Sequence, residues 1–289
     1  MPNGILIIDK PADWTSMDVC AKLRGIYHEK RVGHAGTLDP MATGVLPVFI
    51  GKATKAVSFA EEGQKEYIAG LRLGLVTNTQ DTTGEVLSQR EANVTAEQLR
   101  TVLPRFTGEI QQLPPMFSAI KKDGKKLYEL ARKGQEVERK RRAITIFALE
   151  LLEQTGESTF LLRVLCSKGT YVRTLCHDIG EALGCGGCMC SLRRTMAAGF
   201  TLAESVTLEQ VAAEKEALLL PLDAYFRAYP ALTLTPAQER RCRCGNPVSA
   251  EDLADGTYRL YGADGAFLAL SRAEGGVLTA LKNFFGEGS

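Results

Sequence analysis

Two hydrophobic periodicities, one of two residues and one of about 3.6, run through this chain without the regular strand–helix–strand repeat of a doubly wound fold. Tyr67, Ala69, Leu71 and Leu73 alternate as a half-buried strand does, and residues 4–9 and 44–51 are apolar runs of strand length. Strands are expected again over 142–153 and 158–166. Val19, Leu23 and Ile26 form a helical stripe behind a turn and cap at residues 10–16. Val172, Leu175, Ile179 and Leu183 form another, with Thr170 as the expected cap and Gly184 as the stop. Thr95-x-x-Gln98 and Thr207-x-x-Gln210 have capping-box spacing and mark two further helix starts. This mixture predicts an α+β fold with a mainly antiparallel mixed sheet flanked by helices. Near residue 230 the character changes: Tyr229-Pro230 leads into short strands at 258–261 and 266–270, joined by the hairpin signal Asp264-Gly265. The expected division is therefore a domain over 1–230 and a small β-rich module over 231–289.

With 289 residues, 45% of them hydrophobic, the chain is long enough to bury a core in each part. No stretch reaches the roughly 18 apolar residues that a membrane span needs, and the first residues lack the pattern of a signal peptide. A soluble, cytoplasmic protein is expected. Net charge is only +1, but residues 121–142 hold ten basic side chains against four acids, a local +6. Such a segment can hold a phosphate backbone by releasing counterions, or can be a solvated face. Among the eight cysteines, Cys185 and Cys188 make one C-x-x-C pair, whereas Cys242 and Cys244 are C-x-C, with no histidine near either group. Buried or free thiols are expected, in preference to zinc or disulfides.

The residues best able to carry chemistry crowd between Gly33 and Gly44, in the stretch Gly-His-Ala-Gly-Thr-Leu-Asp-Pro-Met-Ala-Thr-Gly. Its glycines let a backbone take positive φ and approach a ligand, while Pro40 holds Asp39 extended. A carboxylate is thereby fixed on a tight turn. Taken singly, Asp39-Pro40 also reads as a turn starter, His34 as a structural imidazole, Tyr67 and Leu192 as core, and Arg173 as an exposed helical residue.

An ordered series of motifs surrounds that loop. It comprises Lys10-Pro11-Ala-Asp13-Trp-Thr-Ser16, Lys65-Glu-Tyr67, Pro114-Pro-Met-Phe117-Ser-Ala-Ile-Lys121, Leu127-Tyr-Glu-Leu-Ala-Arg132, Cys166-Ser-Lys-Gly-Thr170-Tyr171-Val-Arg173 and Leu192-Arg-Arg-Thr195. Over residues 4 to about 200 this series resembles the TruB family of tRNA pseudouridine synthases. The resemblance implies the pseudouridine synthase fold with a PUA-like RNA-binding domain at 231–289. It also implies isomerisation of a uridine in the T-loop of tRNA, at position 55 in tRNA numbering, with no metal, nucleotide or redox cofactor. The lack of a Walker A loop or a G-x-G-x-x-G fingerprint agrees.

By the same resemblance Asp39 is the catalytic carboxylate, able to attack C1′, attack C6 or remove the C2′ proton. Arg173 is its cationic partner, and Tyr67 stacks on the target base and assists removal of the C5 proton. His34 fills the stack vacated by the flipped nucleotide, Tyr171 and Leu192 contact or wall the flipped base, and Lys55 and Asp81 are polar neighbours of the site. The basic stretch within 114–142 grips the T-arm. A tRNA-binding monomer that needs no guide RNA and no membrane is expected. Asp13 departs from the glycine usual in the family, Phe117 replaces the usual tyrosine, and the cysteines at 185–190 are additional. Two other readings stay open: a non-catalytic RNA-binding or tRNA-folding protein of the same fold, and hydrolysis of a glycosidic bond, for which the motifs supply no second acid.

Overall fold

A computed structural model of the protein describes residues 2–122 and 124–285. Met1, Asp123 of the basic segment and residues 286–289 of the expected C-terminal module lie outside the described residues. The apolar strand β1 (Gly4–Lys10) pairs antiparallel with β3 (Thr43–Ile50), from Gly4 opposite Ile50 to Lys10 opposite Gly44. Between them run α1 (Ser16–Tyr27), started by a capping box of Thr15 and Asp18, and the short β2 (Val32–His34). A 3-10 turn and α2 (Val57–Glu61) lead into β4 (Lys65–Leu73), whose alternate residues Lys65, Tyr67, Ala69, Leu71 and Leu73 are buried, as the period of two predicts.

The hairpin of β5 (Leu75–Thr77) and β6 (Val86–Gln89) stands off the main sheet and is followed by α3 (Ala96–Val102) and β7 (Gly108–Gln112). Next comes the basic segment, a small hairpin of β8 (Lys121–Lys122) and β9 (Lys125–Lys126) leading into α4 (Leu127–Ala131). The long antiparallel pair β10 (Arg142–Gly156) and β11 (Thr159–Cys166) then feeds α5 (Val172–Ala182), β12 (Gly187–Ala197), β13 (Phe200–Thr201) and α6 (Leu208–Glu214).

The sheet runs β1-β3-β12-β4-β11-β10-β7, and every pairing in it is antiparallel except the contact of β12 with β3. This is the α+β, mainly antiparallel architecture read from the sequence. β3 is the pivot: beside its partner β1, it takes β2 near Ile50 and β12 at Thr43 and Gly44. Helix α1 and α5 cover one face through Val19, Leu23, Leu175 and Ile179 against Leu46, Val48, Leu71 and Met189. Burying each such side chain contributes about 1.5–3 kcal/mol. α5 starts one residue later than expected. Its N-cap is Tyr171, which makes no side-chain capping bond, while the Thr170 hydroxyl donates to the Ser167 carbonyl and closes the preceding turn instead.

The C-terminal part forms its own five-stranded sheet, from β14 (Ala231–Thr233), α7 (Pro236–Arg243), β15 (Val248–Ser249), β16 (Gly256–Tyr261), β17 (Phe267–Glu274) and β18 (Val277–Asn283). It is docked on the first part by an aromatic group in which Phe226 packs on Phe59, Phe267 and Phe284. The Tyr261 hydroxyl also donates to Asp223 at 2.6 Å. All eight cysteines are free, and Cys244 alone among them is exposed. Among the described residues no helix is long and apolar enough to cross a membrane, and no group of three His, Cys, Asp or Glu side chains is placed to hold a metal.

Candidate active site

The loop between β2 and β3 is tied down from below. The Lys10 ammonium, at the end of β1 and wholly buried, donates to the carbonyls of Pro11 (2.8 Å), Trp14 (2.6 Å) and Pro40 (3.1 Å). The amide of Leu38 donates to the Ser16 hydroxyl, and that of Ala42 to the Asp39 carbonyl, closing the turn that presents Asp39. Burial lowers Lys10 to a pKa of about 8, against the pull of nearby Asp13 and Asp39. Asp13 has φ +64 and so occupies the left-handed region that glycine favours and aspartate tolerates.

Asp39 and Arg173 meet across 134 residues of sequence. Arg173 Nε lies 2.9 Å from Asp39 Oδ2, and Nη2 lies 3.5 Å from Oδ1. The arginine side chain is 7% exposed and the aspartate 36% exposed, so the pair has a buried cationic half and an accessible anionic half. The remaining guanidinium donors are also used: Nη1 donates to the Thr79 carbonyl at 2.9 Å and Nη2 to the Phe117 carbonyl at 2.8 Å. Phe117 therefore serves the site through its backbone, a contact that its missing hydroxyl leaves intact.

Behind Arg173 stands Asp81, buried at 5% exposure, with Oδ2 3.8 Å from Nη1. Its Oδ1 accepts from the hydroxyls of Thr79 and Thr83 and from the Thr83 amide. Those bonds fix the carboxylate in place beside the guanidinium. The loop carrying it is pinned to α5 by the Thr174 hydroxyl, which donates to Gln80.

Tyr67, on β4, is 6% exposed and sits directly opposite Arg194 of β12. Burial pushes its phenol up, while the Arg194 guanidinium beside it draws it back. Leu192, two residues earlier on the same face, is opposite Ala69 and 8% exposed. Tyr171 is half-buried, and its backbone is bracketed by the Gln112 amide, which accepts from its N–H and donates to its carbonyl. Burial raises the Tyr171 phenol.

His34 ends β2 with a buried Nδ1 that has no partner among the described residues. Burial, helped by the charge of Arg194, lowers its pKa and favours the neutral imidazole. The structure thus gathers Asp39, Arg173, Asp81, Tyr67, Tyr171, Leu192 and His34 around one loop. Lys55 stands apart, exposed on the 3-10 turn Gly51–Ala56, and among the described residues it makes none of the hydrogen bonds or ion pairs that join the others.

Arg194 is the residue that sequence reasoning passed over. It is fully buried, and it donates from Nε to the Val45 carbonyl (2.6 Å) and from Nη2 to the Gly36 carbonyl (3.1 Å). Gly36, at φ +84, lies so close that a Cβ there would meet Lys65 Cε at 3.1 Å and Arg194 Nη1 at 3.4 Å. Lys65, also buried, donates to the carbonyls of Glu61 and Gly63. The loop bearing Asp39 therefore rests on three buried cations, Lys10, Lys65 and Arg194, whose hydrogen bonds among the described residues all go to backbone carbonyls. An accessible carboxylate over such a field suits attack on an electron-poor carbon or removal of a proton. The buried ring of Tyr67 and the half-buried ring of Tyr171 beside it suit a planar base.

Comparison with known proteins agrees with this geometry. The family model described as TruB family pseudouridylate synthase, N-terminal domain, matches residues 24–172, and that of the tRNA pseudouridylate synthase B C-terminal domain matches 173–227. A protein of Ralstonia pickettii (strain 12J) named tRNA pseudouridine synthase B is 45% identical over 293 residues, covering 96% of this chain and 92% of that one. A protein of the same name from Alkaliphilus oremlandii (strain OhILAs) is 46% identical over 264 residues, covering 91% and 88%. Among solved structures, a chain of a Cbf5-Nop10-Gar1 complex superposes with a TM-score of 0.76 at 26% identity, covering 98% of this chain and 85% of that one. With Asp39, Tyr67 and Arg173 brought together inside the matched region, the chain belongs to the TruB family of pseudouridylate synthases.

Proposed function

We propose that this protein converts a uridine in the T-loop of tRNA, position 55 in tRNA numbering, to pseudouridine, with Asp39 as the catalytic carboxylate. The observation that carries the reading is the Asp39–Arg173 pair: a carboxylate one-third exposed, fixed by a buried guanidinium whose other donors are committed to backbone. The relatives' shared name, tRNA pseudouridine synthase B, supports the substrate class.

A uridine in a folded loop cannot reach Asp39 until it is extruded, at a cost of a few kcal/mol. The extruded ring stacks on Tyr67, with Leu192 and Tyr171 walling the pocket, and neutral His34 occupies the gap left in the loop. Asp39 then attacks C1′ or C6, or removes the C2′ proton, and the bond from N1 to C1′ breaks. The base turns, C5 bonds to C1′, the proton on C5 leaves and N1 gains one, so the two proton movements cancel. Asp81, buried behind Arg173 with its Oδ2 toward the guanidinium, acts through Arg173.

Lys55 and the basic stretch within 114–142 contact RNA phosphates, and a 231–289 domain, PUA-like in role, extends the RNA surface of the 1–230 catalytic domain. The protein works as a cytoplasmic monomer on tRNA alone, without guide RNA. Incubation with an unmodified tRNA transcript, and with one carrying cytidine at the target, followed by nucleoside analysis, tests the reading. Pseudouridine from the first transcript alone is expected. Free uracil would instead identify a hydrolase, and binding without either product an RNA-binding protein.

A further inference from the structure

Arg194 has more hydrogen-bonding capacity than the fold uses. A guanidinium carries five N–H donors. Two of its nitrogens donate to the carbonyls of Val45 and Gly36, but Nη1 is buried without a partner among the described residues. Leaving a buried donor unmet costs about 1–3 kcal/mol, more for a charged group. A methionine would fill the same volume in a strand without that cost. Nor does any carboxylate pair with it among the described residues: its charged and titratable neighbours are Lys10 from β1, His34 from β2, Lys65 and Tyr67 from β4, and Cys166 from β11. Of these, Lys10 and Lys65 repel it, and burial lowers His34 and raises the Cys166 thiol, which keeps both neutral.

Tyr67 is the neighbour that can use the charge. The two residues are directly opposite in the β4–β12 register, so their side chains rise from the same face about 4.5–5.5 Å apart at Cβ. Both are buried, and Tyr67 lies within reach of the charge of Asp39 as well. In the reaction proposed above, something beside the ring must take up the C5 proton. A buried phenol can do so only if it can exist as phenolate, and an anion in a dry pocket needs a cation at hand.

We infer that Arg194 is a positioning residue for that step: its free Nη1–H and its charge hold the Tyr67 oxygen as the acceptor of the C5 proton. Tyr67 gives its own proton to solvent before the step. The phenolate then takes the proton from C5, the electron pair of the C5–H bond restores the ring's double bond, and N1 is protonated from solvent. No oxidant, metal or further reactant is consumed. Arg194 touches no substrate atom and acts through Tyr67. The inference rests on the isomerase reading, and its test keeps the two apart.

The test is the kinetic isotope effect on pseudouridine formation under single-turnover conditions, with full-length protein and tRNA carrying hydrogen or deuterium at C5 of the target uridine. Arg194→Gln removes the cation, and Arg194→Lys keeps a charge without the fork. Arg194→Gln is expected to slow the reaction about 10²-fold, the usual weight of a positioned proton acceptor. Its C5 isotope effect is expected to rise above that of the parent, because the slowed step becomes the one observed. Arg194→Lys, the variant that keeps the fold should glutamine not, is expected to show a smaller loss and a smaller rise in the same direction. A slower rate in either folded variant with an unchanged isotope effect overturns the inference, since general damage to the site slows every step alike. Failure of the parent protein to form pseudouridine would instead strike the isomerase reading itself.

Discussion

Buried Gly44 joins three strands at the floor of the site, and replacing it with alanine should damage the fold far more than alanine at an unhindered glycine. It pairs with Lys10 of β1 on one side and with Arg194 of β12 on the other, at φ +102. An ideal Cβ there would lie 2.2 Å from the Arg194 carbonyl oxygen and 2.9 Å from its amide nitrogen, both backbone atoms that cannot swing away. The disallowed backbone costs about 1–3 kcal/mol. Prying β3 from β12 adds the cost of overpacking, again about 1–3 kcal/mol. Gly199, at φ +77 with no atom within 4 Å of its own ideal Cβ, separates the two terms, since alanine there should cost about 1–2 kcal/mol from the backbone alone.

Urea titration followed by Trp14 fluorescence makes the comparison, because this is the chain's one tryptophan and its carbonyl holds the Lys10 ammonium. The midpoint for Gly44→Ala should fall well below that for Gly199→Ala, and its pseudouridine synthesis should fall with it as Arg194 is displaced. Equal midpoints would refute the close approach of β3 and β12 on which the floor of the site depends.

Other changes test separate parts of the account. Arg173→Met leaves Asp81 buried without its cation, so it should lower stability by about 3–5 kcal/mol in urea titration and abolish turnover. Lys10 is held near a pKa of about 8 in the folded chain and returns to its ordinary 10.5 on unfolding. The unfolded state therefore binds the extra proton between those values, and stability should rise with pH across that window. Lys10→Met should flatten the rise when the urea midpoints at about pH 8 and about pH 10 are compared. Replacing the exposed Lys125, Arg132 and Lys133 by glutamate should weaken tRNA binding and reduce the salt slope by about 0.7–0.9 per lost phosphate contact, read from binding isotherms over a salt series.

What the sequence made legible was local. The capping boxes at Thr95 and Thr207 form as their spacing predicts, and the same spacing at Thr235 and Gln238 starts α7, a signal the sequence reading did not use. The period of two over Tyr67–Leu73 is the buried face of β4. The network behind Asp39 was not legible, because its bonds join residues far apart: Asp39 to Arg173, and Arg173 to Thr79 and Phe117. An arginine in a strand reads as exposed. Nothing local to Leu192-Arg193-Arg194 tells that Arg193 points to Asp9 while Arg194 is sealed beneath Gly36. That distinction is made by two glycines some 150 residues earlier, Gly36 and Gly44, which allow the backbone to approach. Thr170 failed as a cap for a local reason, since its hydroxyl serves the turn that begins at Ser167.

The central claim is that a single accessible carboxylate, held by Arg173, performs the isomerisation. The most direct measurement compares the parent protein and Asp39→Asn on one unmodified tRNA transcript, without added cofactor and in the presence of a metal chelator, scoring pseudouridine at the T-loop target and tRNA affinity together. The asparagine keeps the shape and a hydrogen bond to Arg173 but can neither attack nor take up a proton. The account predicts pseudouridine from the parent alone, with tRNA bound equally well by both. Pseudouridine formed by Asp39→Asn at the parent's rate would contradict it.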